Sequence, residues 1–298
     1  MRDVFATAAA WLEEGRRFAL ATLCELRAAK PAPLGTTVAV DGDGRIAGNI
    51  GAGCYESEII EAAQATLADG ALRTLEINLD TDDELAGGTA CGAVMRLLVW
   101  RPGIEFLDDA FAIGEGERAV RVQIGGFEHV FPAKQTLIVV GATALAADLA
   151  AIGRRMDLKI VVVDPRHAFA TYERLPDANA IVREWPDEYL PHVLSGDTAL
   201  IVLSHDPKFD LPALRCALRS PAPYIGLLGS RRAQAARRSA LRAEGFDERA
   251  LDRIHGPVGL DIGGTTTAET AISILAEIVA TRSGRPGRPL LAESGAIH

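Results

Sequence analysis

The chain has 298 residues, of which 48% are hydrophobic and 24% are charged, a balance typical of a soluble globular protein with room for two domains. Its 40 aspartate and glutamate residues outnumber 31 lysine and arginine residues, and the formal net charge of −9 argues against nucleic acid as a partner. No stretch approaches the roughly 20 uninterrupted apolar residues that a membrane-spanning helix needs.

The four cysteines are widely spaced, at positions 24, 54, 91 and 216. No two of them form a Cys-x-x-Cys pair, so the sequence indicates neither a disulfide framework nor a zinc ribbon. We therefore expect a protein of the reducing cytoplasm that has no membrane partner.

Residues 1–101 combine helical and strand patterns and predict a smaller α+β domain. An apolar face formed by Val4, Ala8, Trp11 and Leu12 indicates a first helix. The Asp-Gly-Asp-Gly run at 41–44 predicts a hairpin turn between two strands. A second helix is expected over residues 55–67, and strands are expected over 18–26, 36–40, 45–48, 72–79 and 94–100.

Residues 102–134 carry several glycines and prolines between short apolar pieces. Such punctuation is typical of turns and connecting segments. We interpret this stretch as a linker with minor strands.

From residue 135 onward the pattern changes to short apolar runs separated by helical segments. The runs lie at 137–140, 160–163, 199–203 and 225–228. Strands of this kind are buried on both faces, so they predict an α/β domain with a doubly wound, Rossmann-like parallel sheet. We place this domain at residues 135–281 and expect the basic residues 282–298 to form a flexible tail.

The first strand of this domain ends in an incomplete glycine fingerprint. Ligands of doubly wound sheets bind beyond the carboxyl ends of the strands, and the turn there reads Gly141-Ala142-Thr143. Thr143 replaces a glycine that would let the backbone approach a pyrophosphate. Asp164 follows Gly141 by 23 residues, where an acid commonly binds a ribose hydroxyl. Two interpretations stay open: a ligand site, or a tight turn with Asp164 as a cap.

Two later strand ends carry more polar chemistry, Ser204-His205-Asp206 and Gly229-Ser230-Arg231. A hydroxyl, guanidinium groups and a helix N-terminus together form a suitable receptor for an oxyanion. The glycine-rich loop at 259–267, which contains Asp261 and Gly263, offers further backbone amides. Other arginines that follow Arg231 are expected to be solvated helix residues: Arg237, Arg238 and Arg242.

Two cysteines lie in glycine-rich loops of the N-terminal domain. Cys54 follows Gly51 and Gly53 and opens a helix, where the helix dipole favours a thiolate. Cys91 precedes Gly92 in a second such loop. The residues leave open whether these thiols handle a ligand or are small core side chains, whereas the other two cysteines are predicted to be core residues. None of the six histidines has metal-ligand spacing to them, so no dedicated metal site is expected.

Together the cysteine loops and strand-end motifs resemble those of the xanthine dehydrogenase accessory factor (XdhC/CoxI) family. Residues 51–56 are similar to the family's Gly-Gly-Cys-Val-Glu loop, and residues 90–92 to its second cysteine loop. In the C-terminal domain the resemblance runs through 163–166, 204–208, 226–232, 255–263 and 273–279. It covers nearly the whole chain in the family's order.

The resemblance implies a cofactor-maturation chaperone and leaves open whether the chain also turns over a substrate. Members of the family bind a molybdopterin-type molybdenum cofactor and shield it while a cysteine desulfurase helps to install a sulfido ligand. They then pass the cofactor to the apoenzyme of a molybdenum hydroxylase such as xanthine dehydrogenase. The cofactor is carried, not used, and a homodimer is implied.

The candidate site residues follow from these motifs. The thiols that handle the cofactor and contact its molybdenum are Cys54 and Cys91. The candidate cofactor-binding residues are Gly51, Gly53, Gly92, Gly141, Thr143, Asp164, His205, Asp206, Gly229, Ser230, Arg231, Asp261 and Gly263.

Three departures from the family pattern keep other functions open. Thr143-Ala144 replaces the usual Gly-His, the run at 263–267 lacks a basic residue, and Ala52 replaces a glycine. The alternative is an NAD(P)-dependent oxidoreductase or another nucleotide-using enzyme that acts through the Rossmann-like domain. A ligand-free scaffold between a desulfurase and a hydroxylase is the third possibility.

Overall fold

The computed structural model describes residues 2–27, 33–50, 55–78, 94–204 and 206–292. The chain divides into two compact units between Ala133 and Lys134. None of the described helices has the length and apolar composition required to cross a lipid bilayer.

A five-stranded antiparallel sheet forms the first unit. Its elements are α1 (Arg2–Glu13), β1 (Phe18–Arg27), β2 (Thr37–Asp41), β3 (Ile46–Ala47), α2 (Glu56–Asp69), β4 (Arg73–Asn78) and β5 (Val94–Trp100). The strand order is β3-β2-β1-β5-β4. The predicted hairpin between β2 and β3 forms because Oδ1 of Asp41 accepts hydrogen bonds from the amides of Asp43 at 3.0 Å and Arg45 at 2.9 Å.

The two faces of this sheet lie in separate cores. Ala19 and Ala21 of β1 are buried on the face that α2 covers. Phe18 and Leu20 of the same strand are buried on the other face, against α1. Alternation of side chains along a strand therefore gives each face its own helical layer.

The stretch at 102–134, interpreted as a linker from the sequence, instead contributes to the core of the first unit. It forms a short 3-10 helix (Ile104–Phe106), α3 (Leu107–Glu115), β6 (Val120–Ile124) and β7 (Phe127–Phe131). Alternate residues of β6 are buried in the α1 core: Val120, Val122 and Ile124. Gly116 ends α3 at φ +67° and Gly125 turns the β6–β7 hairpin at φ +55°. The glycines that suggested a linker are therefore turn residues within a folded unit.

The second unit is the predicted Rossmann-like domain, with a six-stranded parallel sheet. Its elements are β8 (Thr136–Val140), α4 (Ala144–Arg155), β9 (Lys159–Val163), β10 (Ala180–Val182), α5 (Pro186–Val193), β11 (Thr198–Val202), α6 (Pro207–Leu218), β12 (Tyr224–Leu227), α7 (Arg231–Ala243), α8 (Glu248–Leu251), β13 (Ile254–His255) and α9 (Thr267–Arg282). The strand order is β10-β9-β8-β11-β12-β13. Dinucleotide-binding folds have this strand order. The direction in which successive strands are added reverses between the first strand, here β8, and the fourth, here β11.

Helices cover both faces of the parallel sheet. Leu137 and Val139 of β8 pack with α4 and α9, and Ile138 and Val140 pack with α5, α6 and α7. Full burial of one such side chain stabilises the fold by roughly 1.5–3 kcal/mol. Strands that are apolar on both faces thus predicted this layered arrangement correctly.

Several short elements of the second unit were not predicted from the sequence. β10 has 3 residues and β13 has 2, too few for a periodic pattern, and α5 contains an internal proline, Pro191. Residues 164–179, all of them described, connect β9 to β10 without a helix. Of the predicted tail at 282–298, the structure describes residues 282–292, of which Arg282 is the last residue of α9, and residues 293–298 lie outside the described ranges.

Arg237 is buried, so the prediction that it is solvated is wrong. Its side chain is 9% exposed and that of Asp210 is 0% exposed. Nε of Arg237 donates to Oδ2 of Asp210 at 2.7 Å, and Nη2 donates to the same oxygen. Gln234, Arg237 and Leu241 follow helical spacing and share the buried face of α7. Two of these three side chains are polar, so the sequence shows no apolar pattern that would indicate burial of this face.

Replacing Arg237 with methionine leaves the Asp210 carboxylate buried without this guanidinium. We expect Arg237→Met to lower the free energy of unfolding by about 3–5 kcal/mol, as measured by urea unfolding. Arg242→Met is the matched control, because Arg242 pairs with Glu248 on the surface, and it should cost less than about 1 kcal/mol. Equal losses in the two variants would contradict the assigned role of the buried pair.

A second polar cluster joins α9 to β12 and β13. Glu277 accepts hydrogen bonds from the hydroxyl of Tyr224 at 2.5 Å and the amide of Gly259 at 2.8 Å. It also lies 3.2 Å from Nδ1 of His255, whose ring stacks on that of Tyr224. Burial alone would raise the pKa of Glu277, but hydrogen bonds from His255, Tyr224 and Gly259 outweigh it and lower the pKa. Burial, followed by the hydrogen bond to Glu277, raises the pKa of Tyr224.

A lowered pKa makes the contribution of Glu277 to stability dependent on pH. It is present above the ordinary value of 4.5 and is lost as the pH falls through the lower pKa of the folded state. Glu277→Gln should therefore destabilise the protein at about pH 7, and its deficit should shrink as the pH falls below about 4. Urea unfolding across this range measures the effect, with the exposed Glu173→Gln as control; a deficit that stays constant with pH would contradict the assignment.

Candidate functional site

Polar segments meet at the carboxyl edge of the parallel sheet in the second unit. Gly141 follows β8, Asp164 follows β9, Ser204 follows β11 and Ser230 follows β12. Because parallel strands end at the same edge, the topology brings these sequence-predicted residues side by side. Doubly wound sheets bind their ligands at this edge.

The turn after β8 is closed by its own hydrogen bonds. The amide of Gly141 donates to the carbonyl of Val163 at 2.9 Å, and the amide of Thr143 donates to the carbonyl of Gly141 at 3.0 Å. Oγ1 of Thr143 accepts from the amide of Ala146 at 3.2 Å, so Thr143 is the N-cap of α4. Gly141 has φ +109°, and a Cβ there would lie 3.3 Å from the amide nitrogen of Ser204. The tight-turn interpretation therefore accounts for the contacts of this loop.

Asp164 is 2% exposed, and both of its carboxylate oxygens are engaged. Oδ1 accepts from the amide and from Nε of Arg166, each at 2.9 Å. Oδ2 accepts from the amide of Ala142 at 2.8 Å and from Nη2 of Arg166 at 2.6 Å. Burial alone would raise the pKa of Asp164, but these hydrogen bonds, that of the Arg166 side chain foremost, hold it below its ordinary value. We call this arrangement the Asp164–Arg166 clasp.

Aromatic rings surround the guanidinium of Arg166. Its Cζ lies 4.7 Å from the ring centroid of Phe169 and 5.2 Å from that of Phe209. Phe209 in turn stacks on Trp185, with centroids 5.1 Å apart. Sequence reasoning did not select Arg166 as a site residue. The signals in the sequence were an arginine two residues after the strand-end acid and the resemblance of residues 163–166 to the family, and the fold was needed to show that Asp164 and Arg166 pair.

The polar side chains after β11 and β12 also serve as local caps. Asp206 caps α6 by accepting from the amide of Lys208 at 3.0 Å, and its own amide donates to Oγ of Ser204 at 3.0 Å. Ser230 caps α7 by accepting from the amide of Ala233 at 3.3 Å. A serine hydroxyl that accepts in this way still has its proton to donate. His205 lies outside the described residues.

Three cations stand at the first turns of α6 and α7. The side chains of Lys208, Arg231 and Arg232 are exposed, and none of them forms an ion pair or a hydrogen bond with another described residue. The positive end of a helix dipole and exposed cations both attract anions. Gly229, with φ +135°, lets the backbone turn between β12 and α7. This part of the edge is chemically suited to a phosphate.

The loop before α9 is held by α9 itself. The carboxylate of Glu269 accepts from the amides of Thr265 at 2.8 Å and Thr266 at 2.9 Å. These amides, with further hydrogen bonds from both threonine hydroxyls, lower the pKa of Glu269 to about 2. Asp261 and Gly263 line a cavity of about 180 Å³ beside this loop. The α9 N-terminus thus has an internal anion, and fewer of its amides are available to a ligand than the sequence suggested.

A larger cavity of about 290 Å³ lies at the opposite, amino edge of the same sheet. Leu137, Leu158 and Ile278 form part of its apolar wall, and Arg282 and Gln135 line it as well. Nη1 of Arg282 donates to Oε1 of Gln135 at 2.6 Å. Of the sequence-predicted site residues that the structure describes, none lines this cavity.

The predicted cysteine loops fall outside the described residues. These positions are Gly51, Gly53, Cys54, Cys91 and Gly92. Cys24 and Cys216 are described, both are half-buried, and burial raises the pKa of each thiol. In the described part of the chain, no three histidine, cysteine, aspartate or glutamate side chains come together as a metal site would require.

Two family models match the chain. The model of the XdhC Rossmann domain matches residues 137–278, from β8 to α9. The model of the XdhC and CoxI family matches residues 11–78, within the first unit.

Three bacterial proteins are similar to this chain in sequence. Escherichia coli (strain K12) PaoD, named as a molybdenum cofactor insertion chaperone, is 26% identical over 94% of this chain and 88% of its own length. YqeB of the same organism is 25% identical over 98% of this chain and 48% of its own length. A Bacillus subtilis (strain 168) protein named as a probable subunit of xanthine dehydrogenase is 30% identical over 50% of this chain and 43% of its own length. The chain thus spans about half the length of two of these relatives.

A solved structure shares the fold. It is the crystal structure of a protein described as a xanthine dehydrogenase from Bacillus halodurans, with a TM-score of 0.77 and 20% identity over 97% of each chain. The family models cover parts of both units in the expected order. The chain belongs to the XdhC and CoxI family.

Proposed function

We propose that this protein is an accessory chaperone of xanthine dehydrogenase-type molybdenum hydroxylases. It binds a molybdopterin-type cofactor, carries it without using it in turnover, and supports its sulfuration and insertion. The observation that carries this proposal is the similarity to PaoD, a molybdenum cofactor insertion chaperone, over 94% of this chain and 88% of that protein. A match of that extent includes both units and not the Rossmann-like domain alone.

The proposed partners follow from the same role. They are the apoenzyme of a molybdenum hydroxylase and a cysteine desulfurase that supplies sulfur, and the chaperone acts as a homodimer in the cytoplasm. The relative named as part of a xanthine dehydrogenase supports the hydroxylase partner.

Within the second unit, we assign the phosphate of the cofactor to the edge formed by β11 and β12. Ser230 donates its hydroxyl proton, and Arg231 supplies a charge that no other described residue neutralises. Gly229 and Asp206 belong to the same strand ends, and His205 is proposed with them from its place in the sequence. Charge-assisted hydrogen bonds to phosphate are about twice as strong as neutral ones, so Arg231 is expected to dominate.

Within the first unit, Cys54 and Cys91 are assigned to the molybdenum end of the cofactor. Thiolates are soft ligands, which suits a thiophilic metal centre that acquires a sulfido group. Gly51, Gly53 and Gly92 flank these thiols and would let a ligand approach the backbone.

The nucleotide-using alternative has less support. In the turn after β8, the amides of Gly141, Ala142 and Thr143 all donate to internal acceptors. Binding of a pyrophosphate there would require some of these hydrogen bonds to break. We therefore place the cofactor chaperone first.

Arg231→Ala should weaken retention of the cofactor. Loss of one charged hydrogen bond costs about 1.5–3 kcal/mol, which corresponds to a tenfold or greater rise in Kd. The measurement is the molybdenum and pterin content of the chain after incubation with free cofactor and gel filtration. Arg249→Ala on α8 is the matched control, and equal retention by the two variants would contradict the phosphate assignment.

A Cys54→Ala, Cys91→Ala double variant tests the thiol assignment separately. We expect it to bind the pterin phosphate but to lose protection of the molybdenum, so that the ratio of molybdenum to pterin falls after gel filtration. A Cys24→Ala, Cys216→Ala variant is the control. Wild-type ratios in the first double variant would remove Cys54 and Cys91 from the site, and wild-type retention in a variant lacking Cys54, Cys91 and Arg231 would contradict the whole proposal.

A further inference from the structure

The position of Asp164 in the sheet is that of a ribose-binding acid. It follows β9, which lies directly beside β8 in a sheet of dinucleotide-binding strand order. In such folds the acid at the end of the second strand accepts hydrogen bonds from ribose hydroxyls. Asp164 has the correct residue type and the correct place, so its contacts decide whether the subsite is available.

The carboxylate of Asp164 has no acceptor capacity left. A carboxylate offers about four lone-pair sites, and Asp164 accepts four hydrogen bonds, three from Arg166 and one from the amide of Ala142. Both oxygens face donors of the protein itself. A ribose diol that approached would find no free acceptor unless Arg166 moved away.

Arg166 is held in place from more than one side. Its guanidinium binds the carboxylate through Nε and Nη2 and lies against Phe169 and Phe209. Phe209 belongs to α6, which follows β11, whereas Arg166 follows β9. Since β8 lies between β9 and β11, this contact reaches across the end of β8, where strand order reverses. Displacing Arg166 would break charge-assisted hydrogen bonds and two cation–π contacts together.

We infer that Arg166 is a specificity-determining residue, which closes the ribose subsite at the end of β9 and keeps ligands with a ribose diol out of it. The arginine supplies intramolecularly the donors that a nucleoside would otherwise supply. The fold is that of a dinucleotide-binding domain, but this half of its carboxyl edge rejects nucleotides. Exclusion of nucleotides at this subsite is independent of which cofactor the protein carries.

The test compares two probes that differ only in the diol, ADP and 2′,3′-dideoxy-ADP, by calorimetry on the full chain. The wild type should bind both weakly and equally. Arg166→Ala should bind ADP at least tenfold more tightly than the wild type, with no gain for the dideoxy probe. Adding Asp164→Ala to Arg166→Ala should abolish the gain, because both carboxylate oxygens that could accept from the diol are then absent.

Arg174→Ala is the matched control, because Arg174 also lies over Phe169, at 5.3 Å, and has no contact with Asp164. It should behave as the wild type. Arg166→Gln keeps the alkyl stem without the bidentate fork and serves if the alanine variant fails to fold, as judged by circular dichroism. A tenfold preference of the wild type for ADP over the dideoxy probe would overturn the inference. So would an equal gain in Arg174→Ala, or no gain in a folded Arg166 variant.

Discussion

Parallel pairing of β8 with β9 on one side and with β11 on the other is the constraint on which the second unit depends. It brings three carboxyl ends to one edge, so that Asp164 after β9 reaches the amide of Ala142 after β8. Strands that pair in parallel must return over a face of the sheet, which requires the helical layers seen on both faces. Parallel strand pairing therefore gives rise both to the candidate site at the carboxyl edge and to the buried core.

Most short polar side chains at this edge form hydrogen bonds within the protein. Little of their hydrogen-bonding capacity is left for a ligand. Thr143, Asp206, Ser230 and Thr266 each accept a hydrogen bond from an amide in the first turn of the following helix. Loss of such a cap typically costs about 0.5–2 kcal/mol. Short polar side chains close to a helix start thus bind the helix's own amides. An external anion would therefore be bound mainly by longer cationic side chains such as that of Arg231.

The local distribution of charge says more about an accessory role that involves an anionic cofactor than the net charge does. The chain carries a formal net charge of −9, yet Lys208, Arg231 and Arg232 all lie at the carboxyl edge of the parallel sheet. In the clasp, Arg166 is neutralised by Asp164, so the two halves of the edge differ electrostatically. An anion would meet a neutral pair after β9 and unneutralised cations after β11 and β12.

Elements with a regular hydrophobic or turn pattern could be predicted from the sequence alone. The two-sided apolar runs predicted β8, β9, β11 and β12 and hence the Rossmann-like sheet, and the Asp-Gly-Asp-Gly run predicted the β2–β3 hairpin. The family followed from motifs in their order along the chain. These features could be predicted because burial of apolar side chains and turn conformation are encoded over a few neighbouring residues.

The contacts of individual polar residues could not be predicted and became evident from the folded chain. The glycines at 116 and 125 resembled linker punctuation until α3 and the β6–β7 hairpin were seen to pack on the first unit. Arg237 resembled its solvated neighbours until Asp210 was found on the facing helix, and Asp164 left two interpretations open until Arg166 was found to pair with its carboxylate. Ion pairs and hydrogen bonds require donor–acceptor distances of about 2.5–3.2 Å between groups that the chain brings together from separate elements, and no local sequence pattern records those distances.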